Sequence, residues 1–115
     1  MKKLLFAIAF LPLSMQGANA ADLLGGYCQL VQPSQLLTIE SNKQLSDEVV
    51  RLMTEAVNVA DDDKWIDNTS PAFTWASEAK VACGKAYGYL RTNTRDEENL
   101  NKCECFHQRM VSYMY

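Results

Sequence analysis

The chain has 115 residues, is 48% hydrophobic and carries a formal net charge of −3. That length holds one domain beyond any targeting segment, and an acidic balance argues against nucleic acid and anionic membranes, which both require a basic patch. Cys28, Cys83, Cys103 and Cys105 all lie past the first twenty residues, and an even count in a short exported chain reads as a disulfide framework.

The chain opens Met1-Lys2-Lys3, continues with an uncharged apolar run over residues 4–13, and reaches Ala18-Asn19-Ala20. A basic start, a short apolar stretch and an A-x-A site in that order make a secretory signal peptide. The run is too short to span a bilayer, which takes about 20 residues. Residues 1–20 are thus expected to be cleaved, leaving 21–115 as a single helical domain, free of the membrane. Losing Lys2 and Lys3 shifts the net charge from −3 to −5. The short Lys-Lys leader has a bacterial style and points to the periplasm.

Residues 21–32 are broken by Gly25-Gly26, with Asp22 as a turn cap and Leu23, Leu24, Tyr27 and Leu30 able to share a face. Residues 36–39 form a brief apolar run that fits either a strand or a loose helical turn. The first clear helix is expected from Ser46, which can cap the amides that follow, while Asp47 and Glu48 oppose the helix dipole. Leu45 and Val50 are spaced as a hydrophobic staple. Val49, Leu52, Met53, Ala56, Val57 and Ala60 follow the helical template. The helix should stop in Asp61-Asp62-Asp63, whose carboxylates sit badly at a negative helix end.

Residues 61–68 read as a solvated acidic linker holding Trp65 and Ile66. A calcium loop would need a set spacing, a turn glycine and a terminal Glu, which the linker lacks. Ser70-Pro71 signals the next helix, which runs to Thr92-Asn93. Ala72, Ala76, Ala79, Cys83, Ala86 and Leu90 make a stripe of mostly small residues that lets another helix approach closely. Thr94 is the expected cap of the third helix, with Glu97 or Glu98 completing an approximate capping box. Leu100, Cys103, His107, Met110 and Met114 form its apolar face.

The short turn between the last two helices predicts an antiparallel pair. Cys83 lies roughly ten residues before that turn and Cys103 roughly ten after it, so at about 1.5 Å per residue they stand at one height. Cys105 is about 200° round from Cys103. The first pairing is therefore Cys83–Cys103 with Cys28–Cys105. The swap Cys83–Cys105 with Cys28–Cys103 stays open, because the heights also permit it. A metal site with His107 is the rival. However, C-x-C-x-H is neither the C-x-x-C-H of haem attachment nor a zinc spacing. The expected architecture is an all-α bundle of three to four helices with an antiparallel C-terminal hairpin, stapled by two disulfides.

Catalytic signals are missing from the sequence. Its single histidine, His107, falls on an apolar stripe, and no G-x-S-x-G, H-E-x-x-H or glycine-rich phosphate loop occurs. A non-enzyme without cofactor or metal is expected. A C-x-C thiol pair has the chemistry for disulfide exchange, but lacks the C-x-x-C spacing and βαβ context of a redox site.

The order of signal peptide, Leu23-Leu24 to Cys28, then Cys83-Gly84-Lys85-Ala86-Tyr87-Gly88-Tyr89-Leu90, then a cysteine after a polar turn resembles the Rap1a/Tai immunity proteins. The resemblance covers roughly residues 23–105. It implies a small helical periplasmic protein, often a homodimer, that blocks a cell-wall amidase delivered by type VI secretion. The chain departs from the pattern in lacking the Pro after the late cysteine, in carrying a second cysteine there and in stopping early, and no inhibitory loop carries over.

The function expected is an exported binding or inhibitor protein with a partly basic protein partner. Asp61, Asp62, Asp63 and Trp65 are the candidate contact residues, with Ile66, Phe73 and Trp75 nearby. Trp75 is expected to fill the core, and whether Trp65 is surface anchor or core stays open. A stress or chaperone-like protein using Met110 and Met114 as an adaptable surface is the alternative.

Overall fold

A computed structural model describes Cys28 and residues 34–115. The expected signal peptide, residues 1–20, and the rest of residues 21–33 lie outside the described residues. Among the described residues the elements are a 3₁₀ turn, Gln35–Thr38, and four helices: α1 (Asn42–Ala60), α2 (Asp63–Ile66), α3 (Ala72–Leu90) and α4 (Glu97–Met114). The domain is all-α among the described residues, and none of its helices is long and apolar enough to cross a membrane.

Helix α1 begins before Ser46. The hydroxyl of Ser41 accepts the Gln44 amide at 3.3 Å. Both serines are competent caps, and burial chooses between them. Starting at Ser41 places Leu45, fully buried, at the head of a stripe that continues through Val49, Leu52, Ala56, Val59 and Ala60. Leu45 is therefore a core residue inside the helix and not a staple outside it. Asp47 and Glu48 leave the first turn and pair along the helix instead, with Lys43 at 2.9 Å and Arg51 at 2.6 Å. Val57 is only half-buried, and Val59 takes the core position. The helix ends at Ala60, with Asp61 as C-cap, as its sequence predicts.

Every residue of the small stripe on α3, from Ala72 to Leu90, is buried. The helix starts one residue later than expected: Pro71, whose carbonyl accepts the Trp75 amide at 3.1 Å, is the N-cap, and Ser70 stands just ahead of it, accepting the Ala72 amide at 3.3 Å while donating to the Tyr113 carbonyl at 2.9 Å. At the far end Asn93 adopts φ 57°, the left-handed conformation that Asn tolerates better than most residues. Its amide reaches the Leu90 carbonyl, and the Thr94 amide reaches that of Tyr89, each at 3.0 Å. This is a Schellman closure.

That closure moves the start of α4. Thr94 is still finishing the preceding helix, so Asp96 becomes the cap, its carboxylate accepting the Asn99 amide at 3.0 Å. The capping box expected from Thr94 does not form. Of the predicted face, Leu100, Cys103, His107 and Met110 are buried, joined by Cys105 and Phe106, whereas Met114 is only half-buried.

Helix α3 is the centre of the bundle, with α1 and α4 both packed on it and meeting each other only sparsely. The contact from Ser70, ahead of α3, to Tyr113, late in α4, makes the hairpin antiparallel. Trp75 and Phe106 stack across it with ring centroids 5.8 Å apart. The disulfides are Cys83–Cys103, with Cα atoms 4.5 Å apart, and Cys28–Cys105, with 5.6 Å. The swapped pairing is thereby resolved in favour of the one in which Cys103 and Cys105 point to opposite faces of α4. The former bond lies in the hairpin core, and the latter ties the N-terminal segment to the other face of α4.

Residues 34–40 follow as a strap, the helical-turn option for this stretch. The Ser34 amide donates to Asn101 at 3.1 Å and the Gln35 amide to Glu104 at 3.0 Å. The Arg95 guanidinium holds the Glu40 carbonyl at 2.7 Å. Leu36 is 3% exposed beneath the strap.

Candidate functional site

Because α1 and α4 both lean on α3, a furrow opens between them on the opposite side. They run the same way along it, since Glu48 shares its wall with Glu104, and Val59 shares its wall with Met110 and Met114. Three zones follow one another. At the upper end the strap lies beside Gln44, Glu48 and Glu104.

The middle zone is a chain of charge. The Arg51 guanidinium holds Glu48 through two bonds of 2.6 and 3.0 Å and reaches Glu55 at 2.7 Å. The other oxygen of Glu55 meets His107 Nε2 on α4. The Arg51 hydrogen bond, with its charge and that of His107 adding to it against slight desolvation, holds the Glu48 carboxyl below its ordinary range. Hydrogen bonding to Glu48 raises the Arg51 pKa in turn. His107 is buried on the α4 stripe. Its Nε2 thus finds a partner, as a buried polar group must.

The lower zone is an open groove of about 340 Å³, near the small end of ligand cavities, which run from about 300 to 1,000 Å³. Val59, Met110, Val111 and Met114 line it, with Glu55, Asn58 and Tyr115 around them. Met110 is 1% exposed, so only Met114 of the two tail methionines retains an adaptable surface position.

Asp61, Asp62 and Asp63 are all exposed and begin two residues beyond Val59. Two of them also shape the chain. The Asp61 amide closes α1 onto the Val57 carbonyl at 2.9 Å, and the Asp62 carboxylate caps α2 by accepting the Lys64 amide at 2.9 Å. This single helical turn folds Trp65 inward to 9% exposure, with Lys64 Nζ 4.9 Å from its ring centroid. Trp65 is therefore core and not an exposed anchor. Ile66, 45% exposed, faces outward in its place. Trp75 occupies the core as its position in the stripe predicts, and Phe73 is half-buried.

The Glu55–His107 contact was not visible in the sequence, because its residues lie 52 apart on helices that meet only sparsely. One signal was present: Glu55 directly precedes Ala56 of the α1 stripe, and His107 lies on the stripe of α4. Cys103 and Cys105 bond to different partners and not to each other. Among the described residues no three or more His, Cys, Asp or Glu side chains are grouped to hold a metal ion.

The chain matches no protein-family model, and neither curated proteins nor solved structures give a match.

Proposed function

We propose that this is an exported, periplasmic binding protein that acts as an inhibitor, in the manner of an immunity protein neutralising a type VI secreted cell-wall amidase. The observation that carries the binding part is the exposed run Asp61, Asp62 and Asp63, which begins two residues beyond Val59 of an open apolar groove. A local negative field attracts a basic partner and speeds its association. Two disulfides are consistent with maturation in an oxidising compartment. The signal-like leader and the resemblance around Cys83-Gly84-Lys85-Ala86-Tyr87-Gly88-Tyr89 supply the periplasmic and immunity parts.

The test is inhibition. Purified domain is titrated against a panel of purified type VI secreted amidases, with cleavage of isolated peptidoglycan as the readout. Stoichiometric inhibition of one member is expected, with association slowed when Asp61, Asp62 and Asp63 are all changed to Asn. A panel left fully active at excess protein removes the inhibitor reading.

A further inference from the structure

We infer that the lower groove between α1 and α4 is the docking site for one basic, amphipathic helical segment of a partner protein. The inference rests on the binding-protein reading above and adds the surface and the chemistry of what it holds.

Three observations converge on that occupant. The groove lies between two helices running the same way, and its wall is Val59, Met110, Val111 and Met114. An apolar channel of this kind takes the apolar face of a third helix through residues spaced i, i+3, i+4 and i+7. Met114, the groove methionine that keeps a surface position, lets it adapt to side chains of different shape. The second observation is charge. The charged residue among its lining, Glu55, is already held by Arg51 and His107, so the negative field comes from Asp61, Asp62 and Asp63, which stand exposed two to four residues beyond Val59. Lysines or arginines on the polar face of the incoming helix would meet them. Thirdly, the same charges disfavour the other occupants. A second copy would bring its own acids to the contact, and an anionic lipid surface would be repelled.

The strap supplies a precedent within the fold. At the upper end of the same furrow residues 34–40 form one wall, with Leu36 buried and polar contacts to Asn101 and Glu104. The incoming helix would continue that packing past the Glu55–His107 contact to the end of α4.

The probe is a fluorescein-labelled peptide of leucine and lysine, about 14 residues or roughly 21 Å as a helix, with leucines at i, i+3, i+4 and i+7. Two controls share its length: the same residues in scrambled order, and the ordered peptide with every lysine replaced by glutamate. Fluorescence anisotropy with the disulfide-intact domain reads the affinity. The ordered lysine peptide should bind best, the scrambled one more weakly and the glutamate one not at all. Asn58→Arg places a like charge at an exposed position on the groove wall without touching the core, and should weaken binding about tenfold. Met114→Asp, checked for retained helicity by circular dichroism, should do the same, whereas Val81→Asp on exposed α3 surface should not.

Equal binding of ordered and scrambled peptides, or affinity unchanged by Asn58→Arg, overturns the groove assignment. So does a concentration-dependent dimer in sedimentation that Asn58→Arg dissolves, since the groove would then hold a second copy. If these occur while an amidase is still inhibited, the binding reading stands and its interface lies elsewhere. Groove-dependent peptide binding without amidase inhibition removes the amidase and keeps the groove.

Discussion

Glu55 on α1 and His107 on α4 meet across the furrow through the carboxylate and the imidazole Nε2. The two side chains are not equally committed, since that of His107 is 11% exposed and that of Glu55 is 45% exposed. Glu55 also shares Arg51 with Glu48, so its loss leaves Arg51 with a partner. Removing the imidazole leaves a hole between α4 and its neighbours. His107→Ala should therefore cost about 1–3 kcal/mol, and Glu55→Gln less than about 1 kcal/mol, as for an exposed ion pair. Urea denaturation of both variants gives the order. Equal costs would mean that the ion pair, and not the packing of the ring, holds α4 to α1.

The depressed pKa of Glu48 sets a direction for acid sensitivity. Its folded-state pKa lies below the unfolded value of about 4.5, mainly through the Arg51 hydrogen bond. The contribution is therefore fully present above the unfolded value and is lost as pH falls through the folded one. The Glu48 side chain is 35% exposed and Arg51 53%, so solvent screening keeps the contribution within about 1 kcal/mol. Comparing thermal melts at neutral pH and near pH 3 should show a smaller acid-induced drop for Glu48→Gln than for the parent chain. An identical drop would place the acid sensitivity in other carboxylates.

The start of α4 offers a sharp comparison between two adjacent candidate caps. Asp96 accepts the Asn99 amide, while the Thr94 amide is spent on closing α3. Asp96→Ala should cost about 1 kcal/mol, the usual loss of a cap. Thr94→Ala should lie within about 0.5 kcal/mol of the parent, as for an exposed site without a capping role. Denaturant midpoints of the two variants decide the matter, and a costlier Thr94→Ala would restore the sequence-based cap.

What the sequence made legible was whatever depends on periodicity. The alanine stripe from Ala72 to Leu90 and the face Leu100, Cys103, His107, Met110 were readable because each repeats at the helical period. The pairing of Cys83 with Cys103 was readable because a short antiparallel hairpin fixes the height of each residue and the helical period turns Cys105 to the other face. What escaped depends on tertiary competition between locally equal choices. Ser41 and Ser46 cap equally well in isolation, and only the burial of Leu45 separates them. Thr94 loses to Asp96 because the Schellman closure uses its amide. Glu55 meets His107 only once both helices have taken their rotation on α3, which neither periodicity specifies.

Trp65 is the case in which local sequence misleads most directly. It stands after three exposed aspartates, in a stretch that reads as a solvated loop, yet Asp62 caps a helical turn that carries the indole into the core. The same aspartates that give this end its negative field therefore build the fold beneath it. Truncating a buried tryptophan to alanine commonly costs about 3–5 kcal/mol, so Trp65→Ala should lower stability by that order. Asp62→Ala should cost about 1 kcal/mol by removing the cap. Ile66→Ala should cost little, since that side chain is 45% exposed. Circular dichroism melts of the three variants with both disulfides intact test the ranking. If Trp65→Ala melts with the parent chain, the indole contributes nothing to the core and its role has to be sought at the surface.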